Sequence, residues 1–311
     1  MNEQLTSADL EPTLPKSEFV AKLENRWSQG LFVCVGLDSD TEKLPKSARS
    51  LVDFNTRIID ATADLACAFK PNSAFYEKLG SEGVAALEET IRYIKHSYPR
   101  VPVILDFKRG DIGNTNNGYV EEAFDRFGAD AVTVHPYLGR EALAPFLDRT
   151  DKGILVLART SNPGAGEFQD LPVDLNRLSD FYKKRFGDLE GLREMTGDDV
   201  FPLYQIIAYA AAVNWNSNGN VGLVAGATSP VELAEIRRIA GETPILIPGI
   251  GAQGGDVEST VIAGRDSNKQ GMIINASRSI IFASSGPDFA GAARAETQRL
   301  TNEINQYRLA T

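Results

Sequence analysis

The feature that most constrains the fold is a rhythm of short apolar runs. They lie at residues 31–37, 66–69, 101–105, 131–134, 153–158, 221–225, 244–247 and 271–275, and most are rich in β-branched residues. Such runs read as strands buried on both faces. Segments with helical apolar spacing separate nearly all of them, at 17–29, 47–64, 83–97, 117–127, 140–147, 230–239 and 288–309. Ser17 is a suitable N-cap for the first helix and Gly30 a suitable stop. Eight strand–helix units in 311 residues predict a single-domain α/β fold, a TIM (β/α)8 barrel, in preference to an open doubly wound sheet. The rhythm fails once, between 158 and 221. That interval holds a helical segment at 175–186 and a second apolar segment at 201–215, and no linker composition flanks it. It reads as an elaborated crossover over about 165–220 inside a domain spanning 16–311. Residues 1–15 are polar with two prolines and read as a flexible arm.

Residues 101–115, VPVILDFKRGDIGNT, concentrate the chemistry. The apolar strand runs straight into Asp106, Lys108, Arg109 and Asp111. Side chains two apart in a strand share a face, so Asp106 and Lys108 project together from its end. Charges at the end of an apolar strand are costly unless they pair or react. From spacing alone the segment is equally a structural ion pair followed by a polar turn. Two other runs end in the same way, 65–69 at Lys70 and 31–37 at Asp38. In a parallel barrel all three ends converge on one mouth, where active sites sit.

Composition narrows the partners. Lys and Arg total 32 against 42 Asp and Glu, a net charge of −10. A nucleic-acid partner would need a basic face, so it is not expected. A small anion remains open, because a local cationic cluster can focus the field in one cleft. No apolar stretch reaches the length of a membrane span, and the first residues lack the pattern of a signal peptide. A cytoplasmic protein with no membrane partner is expected. Cys34 and Cys67 sit inside apolar runs and read as small core residues. With only His96 and His135 present, no cluster has metal-ligand spacing.

Further polar residues follow the other strands: Asn72, His135, Thr160-Ser161-Asn162, Thr228, the glycine-rich 248–255, and Ser277-Arg278. Glycine-rich backbone after strand seven and a cation after strand eight suit a phosphate, although the glycines alone read equally as tight turns. His135 before a proline reads as a packed, hydrogen-bonded ring more readily than as a general base. The 160–164 loop is either a plain turn or a set of hydrogen-bonding groups for a polar ring.

Five segments, Val35-Gly36-Leu37-Asp38, Ala68-Phe69-Lys70-Pro71-Asn72, Asp106-Phe107-Lys108-Arg109-Gly110-Asp111-Ile112, Thr160-Ser161-Asn162-Pro163-Gly164, and 248–255 with Ser277-Arg278-Ser279-Ile280, resemble the orotidine 5′-monophosphate decarboxylases, in particular their longer bacterial branch. The resemblance implies a homodimer of TIM barrels that converts orotidine 5′-monophosphate to uridine 5′-monophosphate with no cofactor and no metal. It implies Lys108 as proton donor in a charged network with Lys70, Asp106 and Asp111. Asp111, Ile112 and Thr115 would enter the partner subunit's site. Asp38 and Lys70 would contact the ribose, Ser161 the pyrimidine, and Gln253 and Arg278 the phosphate, with Pro248 and Ser277 in the same substrate-binding set. Phe107 departs from the small residue common at that position, and its side chain is expected to point away from the site. Two alternatives carry less of the sequence. A metal-dependent sugar-phosphate decarboxylase or aldolase of the same architecture lacks a further acidic cluster here. A non-catalytic phosphate sensor would need the charged network broken, and all four of its members are present.

Overall fold

The computed structural model describes residues 15–180, 182, 189–250 and 255–310. Its strands are β1 Val33–Gly36, β2 Ala66–Lys70, β3 Ile104–Arg109, β4 Ala131–Val134, β5 Gly153–Arg159, β6 Pro172–Asp174, β7 Val200–Pro202, β8 Val221–Ala225, β9 Ile245–Pro248 and β10 Met272–Ala276. Eight of them form one parallel sheet in the order β2-β1-β10-β9-β8-β5-β4-β3. Its two edges meet through parallel bridges Phe69↔Val103 and Asn72↔Asp106, which close the barrel. The eight runs expected as strands are these eight strands, displaced by at most a few residues. Their continuous apolar character follows from burial on both faces: every residue of β1, β2, β4, β8 and β10 is buried.

Helices shield the outside. Ser17 caps Glu18–Ser28, its Oγ accepting from Val20 N at 3.3 Å, and Gly30 follows the helix at φ 77°. Ser50 caps Leu51–Thr62 in the same way. That helix packs on the closing helix Phe289–Leu309, where Phe54 stacks on Phe289 at 5.1 Å. At the end of the barrel opposite the mouth, Asp130 accepts from Lys22 (2.7 Å), Lys95 (2.6 Å) and Val103 N (2.9 Å). These charges tie two helices to the start of β3.

The long crossover differs from its sequence reading. Its early part is β6, paired antiparallel with β7. Of the expected helix at 175–186, Leu175–Arg177 forms a separate turn, Leu178 after it is extended, and helix resumes at the described residues Asp180 and Tyr182. Residues 181 and 183–186 of that expectation lie outside the described residues. Asp174 caps that turn, its carboxylate accepting from Asn176 N at 3.0 Å. Helix Leu203–Tyr209 then returns the chain to the barrel wall. The expectation of a flexible arm at 1–15 lies outside the described residues except for Pro15.

Candidate active site

The site is built around a break in β3. Leu105 pairs with Val132, but the next pair is Arg109 with Val134, so β3 carries two more residues than β4 over the same span. The excess is a bulge holding Asp106, Phe107 and Lys108. Lys108 has φ 47°, left-handed backbone that an L side chain seldom adopts. The expectation that Asp106 and Lys108 share a face through extended alternation is therefore replaced by a bulge with the same result. Lys108 Nζ donates to Asp106 Oδ1 at 2.5 Å. Phe107 points away, edge-on to Tyr119 and Phe146.

Asp106 is shared. Lys70 Nζ donates to its Oδ2 at 2.9 Å and lies 4.0 Å from Asp38. The side chains of Lys70 and Asp106 are 4% and 9% exposed, whereas that of Lys108 is 48% exposed. Burial pulls Lys70 down, but the carboxylates of Asp106 and Asp38 outweigh it and hold the ammonium above the ordinary lysine range. Burial likewise pushes the Asp106 carboxyl up, yet Lys70 and Lys108 outweigh it and hold it well below the ordinary carboxylate range. The cluster thus sets two ammonium groups against two carboxylates, with one ammonium facing the cavity.

That cavity, about 370 Å³, suits a small metabolite. Asp38, Lys70, Asp106 and Lys108 form one side. Thr160, Ser161 and Asn162 face them from the end of β5. Pro248, Ser277 and Arg278 close the far rim, over an apolar floor of Leu157, Val224 and Leu246. Two glycines make this approach possible. A Cβ at Gly36 would lie 1.9 Å from Ser277 Oγ, and one at Gly226 would lie 2.7 Å from Ser161 Cβ. Among the described residues Arg278 makes no ion pair, so an exposed cation stands at the rim. Asp38 Oδ1 and Asn275 Oδ1 are buried acceptors without a donor among the described residues.

Eight expected site residues therefore share one cavity: Asp38, Lys70, Asp106, Lys108, Ser161, Pro248, Ser277 and Arg278. Asp111, Ile112 and Thr115 do not line it; they are exposed on the loop and helix after β3. The Asp111 carboxylate accepts from Ile112 N at 2.7 Å, and Asn116 holds the Asp111 backbone through its N–H and carbonyl. Gln253 lies outside the described residues. His135 is absent from the cavity lining; its ring lies against Gly110 and its Nδ1 has no partner among the described residues. Burial pushes the Cys34 thiol up to about 12, which fits a core residue and not a nucleophile. Sequence reading missed Thr133 and Asn275 as lining residues, because each sits inside an apolar strand and its only signal is a polar residue where alternation has no meaning. Among the described residues no three His, Cys, Asp or Glu side chains are grouped to hold a metal, and no helix is long and apolar enough to cross a membrane.

Comparison with known proteins agrees with this geometry. Residues 32–185 match the family described as orotidine 5′-phosphate decarboxylase / HUMPS. The chain is 46% identical over 297 residues to an orotidine 5′-phosphate decarboxylase of Cellvibrio japonicus, covering 93% of this chain and 99% of that one. It is 46% identical over 295 residues to the same enzyme of Cupriavidus necator, covering 93% and 98%. Among solved structures, Leishmania donovani OMP decarboxylase superposes with a TM-score of 0.76 at 37% identity, covering 94% of this chain and 99% of that one. With the barrel closed and the Asp38–Lys70–Asp106–Lys108 cluster at its mouth, the chain belongs to the orotidine 5′-phosphate decarboxylase family.

Proposed function

We propose that Lys108 is the proton donor in the decarboxylation of orotidine 5′-monophosphate to uridine 5′-monophosphate and carbon dioxide, the family's step in pyrimidine nucleotide synthesis. The observation that carries this reading is the single partly exposed ammonium, Lys108 Nζ, fixed by a buried carboxylate beneath the cavity. The bond from C6 of the pyrimidine to its carboxylate breaks, and the electron pair stays on C6 with no adjacent electron sink. A preorganised cation beside that carbon stabilises the developing charge. Lys108 then gives its proton to C6 and regains one from solvent. Asp106 holds and aims the Lys108 ammonium, and Lys70 helps keep Asp106 ionised.

The remaining groups suit the rest of the nucleotide. Asp38 and Lys70 face the ribose, whose hydroxyls would donate to Asp38 Oδ1, an oxygen with no hydrogen-bond donor among the described residues. Ser161 faces the pyrimidine. Arg278, with Gln253 and the glycine-rich loop, holds the phosphate. That grip is remote from C6 and supplies binding energy for closing the site around the charged groups.

The same reading makes the active form a homodimer in which Asp111, Ile112 and Thr115 reach the partner's cavity. It is supported by the outward direction of this segment. Ile112 is 64% exposed and Tyr137, on the next loop of the same face, 89% exposed, an apolar surface suited to a second copy.

The test is loss of the orotate chromophore when purified protein meets orotidine 5′-monophosphate, with and without a chelator. Rapid loss insensitive to the chelator is expected. Loss abolished by the chelator would point to the metal-dependent relatives, and no loss by folded protein would remove the reading. Lys108→Ala is expected to lower turnover at least about 100-fold while uridine 5′-monophosphate still binds.

A further inference from the structure

We propose that Thr133 is a positioning residue for the proton donor, acting on both ends of Lys108 through one hydroxyl. The inference rests on the assignment of Lys108 and extends it to a residue on the neighbouring strand. Thr133 lies on β4 between Val132 and Val134, the two residues that pair with β3 on either side of its bulge. It is therefore the only β4 residue that spans the bulge. A bulge leaves an extra residue without its ladder partner. Here the Lys108 N–H donates to Thr133 Oγ1 at 3.1 Å.

Because Thr133 Oγ1 accepts from that N–H, its own proton is free to go elsewhere. It goes to Asp106 Oδ1 at 2.8 Å. The same oxygen takes Lys108 Nζ at 2.5 Å. The four groups close a ring: backbone nitrogen of Lys108, hydroxyl of Thr133, carboxylate of Asp106, ammonium of Lys108. Thr133 is 1% exposed, so water does not replace its hydroxyl. The ring holds the left-handed backbone of Lys108 and the direction of its side chain together. It also covers a lone pair of Asp106 that would otherwise draw Lys108 Nζ further down, away from the cavity.

Thr133→Val keeps the shape and removes the hydroxyl. It leaves a partly buried N–H without that acceptor and the carboxylate with one donor fewer. The expected result is a fall in kcat of about 100-fold, the scale of a misaligned reacting group, with KM for orotidine 5′-monophosphate changed less than about threefold. Thr133→Ser restores the ring and is expected to recover kcat to within about fivefold of the parent. In a Lys108→Ala background, Thr133→Val is expected to have no further effect on kcat, because the group it positions is gone.

A kcat for Thr133→Val within threefold of the parent overturns the proposal. So does the same fractional loss with Lys108 present and absent, which a general structural role would produce. If Thr133→Val does not fold, Thr133→Ala with Thr133→Ser carries the same test: equal kcat in the two removes the hydroxyl from any role. Should Lys108→Ala itself keep full turnover, the donor assignment fails, and that outcome is distinct from failure at Thr133.

Discussion

At the scale of single residues, the site depends on one carboxylate and one strained lysine. Asp106 joins two lysines, one of them fully buried, so removing its charge leaves Lys70 only the more distant Asp38, 4.0 Å away, inside the barrel. Breaking a buried pair from one side costs about 3–5 kcal/mol, and Asp106→Asn is expected to lose that much stability at pH 7 in urea denaturation. The pH dependence has a definite sign. Asp106 is held below its ordinary value, so its contribution is fully present above about pH 4 and is lost as pH falls through the native value. Lys70 is held above its ordinary value, so its contribution is fully present below about pH 10.4 and is lost as pH rises through the native value. The parent should show a plateau of stability between these limits, and Asp106→Asn a flatter acid limb. An acid limb unchanged by the substitution would place the charge-dependent stability elsewhere. Lys108 is a separate case, because its backbone sits at φ 47°. Left-handed backbone costs about 1–2 kcal/mol in an L residue and little in glycine. Both Lys108→Gly and Lys108→Ala should be inactive, yet the glycine variant should melt higher than the alanine one. The reverse order would mean that the bulge relaxes once the amine is lost.

At the scale of elements, the long crossover acquires a task just after its opening turn at Pro163–Ala165. Its short helix, Gly166–Gln169, carries Gln169, whose Oε1 accepts from Thr160 N at 2.8 Å and whose Nε2 donates to Thr160 Oγ1 at 2.9 Å. Next to it Asp170 meets Arg159 at 2.9 Å. The insertion thus splints the 160–162 loop from outside while Gly226 lets that loop approach from inside. Gln169→Leu is expected to raise KM for the nucleotide by about tenfold, the worth of two hydrogen bonds at a half-buried site, with the melting temperature nearly unchanged. A lowered kcat at constant KM would mean that the splint serves the chemistry and not the grip on the ring. Little of this element was legible in the sequence. The eight barrel strands were legible because burial on both faces writes an unbroken apolar run, and Ser17 was readable as a cap. The β6–β7 ribbon was not, since strands of three residues beside Pro172 and Pro202 leave no periodic trace. Helix Val257–Gly264 was missed for a similar reason, hidden behind glycine-rich residues that read only as loop. The charged residues at the mouth were legible because charges at the ends of apolar strands stand out. Thr133 was not, because a threonine within a β-branched run is indistinguishable from packing until the bulge opposite it is seen.

At the scale of the whole molecule, the question is which chain completes each cavity. Within one chain the cavity gathers Asp38, Lys70, Asp106 and Lys108, while Asp111 is exposed and its carboxylate is turned to the backbone of its own loop. If Asp111 serves the partner's cavity, two variants that are each inactive repair one another. In a mixed dimer of Lys108→Ala and Asp111→Ala chains, the cavity of the Asp111→Ala chain retains its own Lys108. It receives Asp111 from the Lys108→Ala chain. The other cavity lacks both groups. Random reassortment makes half of all dimers mixed, each with one intact cavity of two, so activity should return to about one quarter of the parent's. The measurement is turnover after denaturing and refolding the two inactive chains together, against each refolded alone. If Asp111 serves its own chain, every cavity in the mixture lacks one group and no activity returns. Recovery near one quarter would also explain why the carboxylate of Asp111 is so poorly placed within its own chain: its geometry is set by an interface that only a second copy supplies.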